Sequence, residues 1–118
     1  MFQTSITGVV SVLENGILTL TQQNIQTDAS TEEFEYTNYF IPPSTTDQTV
    51  EMCRIADTNY VYIVTGTPIG VKFNSTGNTP LTINGLLLAD ISASAIYLTN
   101  ADATITATVT IVFSGNRS

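Results

Sequence analysis

The clearest pattern in this chain is a long alternation near its C-terminal end. From Ala103 to Phe113, threonines occupy every second position and apolar residues fill most positions between them. This alternation predicts one long β-strand with an apolar face towards a core and a hydroxylated face away from it. The hydroxylated positions are Thr104, Thr106, Thr108 and Thr110, and the apolar positions are Ile105, Ala107, Val109, Ile111 and Phe113.

Short apolar segments separated by turn-forming residues fill the first half of the chain. Asn15-Gly16 lies between Gln3–Leu13 and Ile17–Gln23, and Asn-Gly supplies the positive φ angles of a tight hairpin. A third strand, Phe34–Ile41, precedes Pro42-Pro43. Because proline donates no hydrogen bond to a sheet, we expect this strand to end there and a surface loop to follow.

The middle of the chain predicts a second hairpin. Thr49–Ala56 and Tyr60–Thr65 are strand-like, and the Asp57-Thr58-Asn59 segment between them has side chains that bond to their own backbone in turns. A further strand is expected at Ile69–Asn74. Asp90 to Ser94 is compatible with a helical turn.

Two further pairs of strands are predicted towards the C-terminus. Leu81–Ile83 and Leu86–Leu88 flank Asn84-Gly85 as a small hairpin, and Ala95–Thr99 pairs with Ala103–Phe113. Many short strands without intervening helices indicate an all-β fold. We therefore expect residues 1–118 to form one domain, an antiparallel β-sandwich or a small β-barrel.

Composition adds an expectation about assembly. Hydrophobic residues make up 42% of the chain and charged residues only 11%, against about a quarter in ordinary soluble domains. Few charges are therefore available to cover the surface. A chain of this kind is expected to bury apolar faces in a homo-oligomer.

The net charge of −7 disfavours some partners. Without a basic patch, neither nucleic acid nor an anionic membrane surface is an expected partner. No apolar run approaches the ~20 residues that cross a bilayer, and the first residues resemble no secretory signal. We expect synthesis in a cytoplasm, which agrees with a lone cysteine, Cys53.

Candidate chemistry is sparse. The chain has no histidine, which removes the usual general base and nearly every common zinc site. Cys53 is expected to be a small buried hydrophobe, and the single lysine, Lys72, a solvent-facing strand residue. Glu32, Glu33 and Glu35 are interpreted as an acidic strand edge rather than a glycosidase pair. No catalytic residue, metal ligand or cofactor is predicted.

The polar face of the last strand and two tyrosines form the candidate interaction surface. Tyr60 and Tyr62 share a parity, so they are expected on one side of a strand, where tyrosine rings can stack on sugars. Half-buried sheet tyrosines are the preferred interpretation, and a sugar-binding platform is the alternative. The candidate residues are Tyr60, Tyr62, Thr104, Thr106, Thr108 and Thr110.

About a third of the chain resembles a family of viral proteins. Thr79–Gly85, Ala95–Asn100 and the strand ending in Phe113-Ser114-Gly115 resemble the closing portion of small β-rich virion proteins of tailed bacteriophages. The resemblance implies a jelly-roll-like sandwich or a small barrel. It also implies a non-enzymatic capsid decoration or cement protein, often a trimer, located on the virion. Its partner would be the major capsid protein or another virion protein. No functional residue is carried over.

Two other functions stay open at this point. A tail-associated or receptor-binding module would contact carbohydrate through its tyrosines and loops. A small hydrolase would use its glutamates. The scarcity of charge favours decoration, because contacts made by apolar and uncharged polar groups survive changes in salt better than ion pairs do.

Overall fold

The structure is a computed structural model that describes residues 2–14, 17–31 and 33–117, with side chains described for 33–117 only. Within these ranges every regular element is a β-strand, and none is a helix that could span a membrane. The strands are β1 (Phe2–Glu14), β2 (Ile17–Thr31), β3 (Glu33–Ile41), β4 (Thr45–Thr49), β5 (Ile55–Thr65), β6 (Ile69–Phe73), β7 (Leu81–Ile83), β8 (Leu86–Asp90), β9 (Ile96–Asn100) and β10 (Ala107–Arg117).

Eight of these strands form two four-stranded antiparallel sheets. The first sheet has the order β3-β10-β5-β8 and the second sheet the order β4-β9-β6-β7. From β3 to β10 the chain changes sheet at every connection except the one between β6 and β7. This alternation between the two sheets is the topology of a jelly roll. The predicted antiparallel sandwich is confirmed.

The hydrophobic core lies between the two sheets. Strand β10 contributes Val109, Ile111 and Phe113, and Val71 and Leu98 meet them from the second sheet, all with at most 1% of their surface exposed. Burial of each such side chain stabilises the fold by roughly 1.5–3 kcal/mol. These buried positions are every second residue of their strands, as the period of a pleated strand requires.

Strand β10 confirms the predicted parity but not the predicted start. It begins at Ala107 and continues to Arg117, so Thr104, Ile105 and Thr106 precede it in an exposed connection. The carboxylate of Asp102 accepts hydrogen bonds from the backbone N–H groups of Thr104 and Ile105, both at 2.8 Å. These bonds hold the backbone in a turn. The alternating residues before Ala107 are therefore not part of a sheet.

The predicted turn at Asp57-Thr58-Asn59 is wrong, because β5 continues through it. Thr58 is buried, its Oγ1 donates to the carbonyl of Ile91, and it accepts from the N–H of Ala93 at 2.9 Å. Two register shifts against β10 let the strand stay paired along this stretch. A distant segment thus satisfies the side chain that a local turn would have used.

The predicted strand Thr49–Ala56 and the predicted loop after Pro42-Pro43 are both wrong. Residues 50–54 form a turn in which Ile55 N–H donates to the Met52 carbonyl at 3.0 Å and Cys53 has a φ of 55°. The predicted loop instead contains β4, which pairs with β9 at the edge of the second sheet. An edge strand of polar residues leaves no hydrophobic period to recognise.

Two predicted hairpins are connections between the sheets. β7 pairs with β6 and β8 pairs with β5, so the Asn84-Gly85 turn crosses the sandwich, with Gly85 at a φ of 133°. β9 and β10 are likewise in different sheets. Residues 91–95 are irregular rather than helical. Turn-forming residues predict where the chain reverses direction. They do not predict which strand the next one pairs with.

The N-terminal hairpin is confirmed. β1 and β2 pair antiparallel from Phe2 opposite Thr31 to Glu14 opposite Ile17, with register shifts near Val10. Asn15-Gly16, on which the prediction rested, lies outside the described residues. β2 extends well beyond the predicted end.

A buried amide ties the two sheets together at one end of the sandwich. Asn100, at the end of β9, is fully buried, and its Nδ2 donates to the carbonyls of Ile41 at 2.9 Å, Ile105 at 2.8 Å and Pro42 at 3.2 Å. Its Oδ1 accepts from Asp102 N–H at 3.1 Å. One side chain therefore satisfies backbone groups from the end of β3 and from the connection into β10.

We expect Asn100→Ala to lower the free energy of unfolding by about 3 kcal/mol, because it leaves several buried backbone groups without partners. Asn100→Asp should cost as much or more, since a carboxylate oxygen would face carbonyl oxygens. Urea denaturation followed by circular dichroism measures both. A loss below about 0.5 kcal/mol for either variant, the size of an ordinary surface substitution, would contradict this role.

Gly115 is required by close packing of two backbones. It lies in β10 at a register shift, where a Cβ atom would contact the Asp57 carbonyl oxygen and lie 2.8 Å from Thr58 Cα. Backbone atoms cannot move aside as the end of a flexible side chain can. Any residue with a Cβ atom at this position therefore forces one of the two backbones to shift.

We expect Gly115→Ala to destabilise the protein by about 2–3 kcal/mol through this overlap. Gly66→Ala is the matched control, because a Cβ there meets nothing within 4 Å. Thermal unfolding of both variants measures the difference. Equal melting temperatures for the two variants would show that β10 and β5 do not approach as described.

Candidate interaction face

The outward side of the first sheet exposes a broad set of large apolar side chains. They come from the three strands β3, β5 and β8, and the central strand β10 lies among them. We call this surface the outer face; its large exposed apolar residues are Phe34, Tyr36, Phe40, Tyr62, Val64, Leu86 and Leu88. Among residues 33–117, Leu81 and Ile105 are the other large hydrophobic residues that are exposed.

The register aligns these side chains in rows across the sheet. Tyr36 lies opposite Val112, Val112 opposite Tyr62, and Tyr62 opposite Leu88. Neighbouring strands are roughly 4.8 Å apart, so side chains in one row are in contact range. The next row consists of Asn38, Thr110, Val64 and Leu86.

Exposure is highest at the two edge strands. Phe40 and Tyr36 of β3 are 71% and 61% exposed, and Leu86 of β8 is 63% exposed. These side chains have little of their apolar surface covered within the chain. Hydrophobic side chains scattered singly over a surface are common, but an aligned set on one sheet is not.

No charged side chain lies within the two central rows of the outer face. The row of Phe34, Ser114 and Tyr60 ends at Asp90, at the end of β8. A partner surface would thus meet methyl groups, aromatic rings, hydroxyls and one amide. The contact would include almost no charge–charge interactions, so its affinity would depend little on salt.

The structure brings together four of the six candidate residues. Tyr60 and Tyr62 point to the same side of β5, and Thr108 and Thr110 of β10 share that side. Thr110 Oγ1 donates to Asn38 Oδ1 at 2.7 Å across to β3. Thr104 and Thr106 lie in the connection before β10 and do not share its face.

Sequence reasoning missed most of the outer face. The strand predicted at Phe34–Ile41 carries Phe34, Tyr36 and Phe40 at alternate positions, with Glu35, Thr37 and Tyr39 between them. That alternation was the available signal. The usual rule would turn the rings inward, but the structure turns them outward and leaves the residues between them half-buried.

The two described acidic residues of β3 each have a separate neighbour. Glu33 bonds to Arg117 at 3.3 Å, and Glu35 lies near Cys53. Glu32 lies outside the described residues. Partial desolvation, followed by the carboxylates of Glu35 and Glu51, raises the pKa of the Cys53 thiol. Cys53 is exposed, so its prediction as a buried hydrophobe is wrong; the φ of 55° in its turn keeps it out of any strand.

Lys72 is not the solvent-facing residue that was predicted. Its Nζ lies 3.1 Å from Asp47 Oδ1 and donates to the Thr76 carbonyl at 2.9 Å, and the side chain is only 15% exposed. The lysine borders a cavity of about 260 Å³ on the second sheet, which Pro68, Pro80 and other residues line. Its amine is thus occupied by an ion pair and a backbone bond.

In the described part of the chain, no three Cys, Asp or Glu side chains are grouped as a metal site. Comparisons with protein-family models, with curated proteins and with solved structures find no match for this chain. What is established is the class, an all-β sandwich with one apolar outer face.

The stability that Asp102 contributes to the connection before β10 depends on pH. Hydrogen bonds from the backbone of Thr104 and Ile105 lower its pKa from the ordinary 3.8. A lowered pKa means that the ionised carboxylate stabilises the fold above pH 3.8 and that this contribution is lost as pH falls through the folded-state pKa.

We therefore expect Asp102→Ala to melt at a lower temperature than the wild type at pH 7, with the difference shrinking below about pH 3.8. Asp102→Asn is the control, because it keeps an acceptor oxygen without a titrating charge. Scanning calorimetry from pH 7 to pH 2 measures the three proteins. A difference that stays constant over this range would contradict the assignment.

Proposed function

We propose that this chain is a structural protein of a virion, a capsid decoration protein that binds the outer shell as a homotrimer with the major capsid protein as its partner. The single observation that carries the proposal is the uncharged apolar outer face, taken as the mark of a chain that assembles with other protein subunits. A sandwich that exposes such a face is suited to association with protein rather than to catalysis.

The size of the outer face supports an assembly role. Its seven large side chains leave about 700 Å² of mostly apolar surface exposed, given their exposed fractions and the 150–250 Å² that a large ring can bury. The largest apolar patch of an ordinary monomer is about 300–600 Å². Covering such a surface contributes to binding in the way that core burial contributes to folding.

The distribution of charge supports the choice of partner. The net charge of −7 opposes binding to the phosphates of nucleic acid and to anionic lipid. A decoration protein occupies many equivalent positions on a shell, and apolar and uncharged polar contacts hold there when the ionic strength changes. The resemblance of residues in β7, β9 and β10 to small virion proteins points the same way.

Imaging of assembled particles by electron microscopy tests the proposal. We expect density for this chain at regularly repeated positions over the shell. Purified protein added to shells that lack it should sediment with them equally in 0.1 M and 1 M NaCl, since Debye screening leaves uncharged contacts intact. Density confined to the tail, or binding lost at high salt, would contradict the proposal.

A second candidate is a receptor-binding module of the tail that contacts carbohydrate. One observation favours it: Tyr36 and Tyr62 are exposed on either side of Val112 in one row, two strand spacings or roughly 10 Å apart. A sugar ring could stack on both tyrosines. Glycan-array binding that is lost in Tyr62→Ala and kept in Tyr97→Ala, a half-buried tyrosine of the second sheet, would favour this function.

A further inference from the structure

We propose that the outer face is the contact between copies of this chain, packed about a symmetry axis, and not the surface that meets the shell. The inference rests on the homo-oligomer of the proposed function and assigns its interface. It would hold for an assembled protein in solution, with no shell present.

The area of the outer face matches what a stable subunit contact needs. A standard protein interface buries roughly 800 Å² on each partner. The large apolar side chains alone expose about 700 Å², and the small side chains of β10 lie between them. A copy placed over the face would therefore bury an interface of standard size without any rearrangement of the strands.

The absence of charge from the central rows favours a second copy over a different partner. About a symmetry axis, equivalent residues of the copies come close to one another, so any charge there meets a like charge. The chain as a whole carries a net charge of −7, yet the rows of Tyr62 and Val64 contain none. Asp90 is at the rim, where solvent screens it.

The shape of the outer face suits packing against a copy of itself. The outward positions of β10 that are not buried are small, at Thr108, Thr110 and Val112, whereas β3 and β8 expose large side chains, among them Phe40 and Leu86. A shallow trough therefore runs along β10 between two raised margins. Large side chains at the margin of one copy, such as Phe40 or Leu86, can fill the trough of another, as side chains do where two sheets stack about 10 Å apart.

Two matched pairs of variants test the inference by light scattering and sedimentation equilibrium of the purified full chain. Leu86→Lys and Phe40→Lys place a charge on the outer face. Leu81→Lys and Ile105→Lys make the same change at residues 49% and 50% exposed that lie off the face. All four side chains are exposed, so the fold should be retained, and circular dichroism checks this.

We expect the wild type to have a mass of at least two 12.7 kDa chains. The two face variants should raise the dissociation constant at least tenfold, and the two control variants should leave it within twofold. A monomeric wild type overturns the inference. An oligomer weakened equally by the control variants, or insensitive to all four, also overturns it. Should a face variant unfold, Tyr36→Lys on the same face, at a residue 61% exposed, replaces it.

Shell binding separates this inference from the proposed function. A wild type that is monomeric but sediments with shells, and loses that binding in Leu86→Lys, would show that the outer face meets the shell; the inference would fail and the function stand. An oligomer that dissociates as expected but never binds shells would leave the interface correct and overturn the decoration role.

Discussion

The buried amide of Asn100 is the constraint on which the geometry of the sandwich depends. It lies at the end of β9 in the second sheet, yet its donors satisfy the carbonyl of Ile41 at the end of β3 and that of Ile105 before β10, both of which lead to the first sheet. An unpaired polar group is expensive in an apolar interior, so this network must close completely or not form. Its closure fixes where β3 ends and where β10 can begin.

The position of β10 in turn determines the outer face. β10 pairs with β3 on one side and β5 on the other, and its register sets which residues of each strand share a row. At the far end, the missing side chain of Gly115 lets the backbone of β5 approach. With β10 held at both ends, its apolar parity faces the core, and the threonines at 108 and 110 lie outward among the aromatic residues.

The exposed apolar residues of the outer face are not needed for the fold, and they carry a risk of aggregation. Apolar rings at Tyr36 and Phe40 contribute little to the stability of a single chain because they remain in water. Polar residues at these positions would serve a soluble sandwich equally well and would reduce the risk of aggregation. Such a surface is consistent with a chain that reaches its working form only after association.

The sequence by itself determined the class of fold, the parity of β10 and the N-terminal hairpin, because alternation and Asn-Gly chemistry are local properties of the chain. Only the tertiary structure decided that Thr58 continues a strand, that Asn84-Gly85 crosses between sheets and that the rings of β3 face outward. Each of these depends on partners far along the chain, such as Ile91 for Thr58. The two-residue period of a strand shows which residues share a face. It does not show which of the two faces the other sheet will cover.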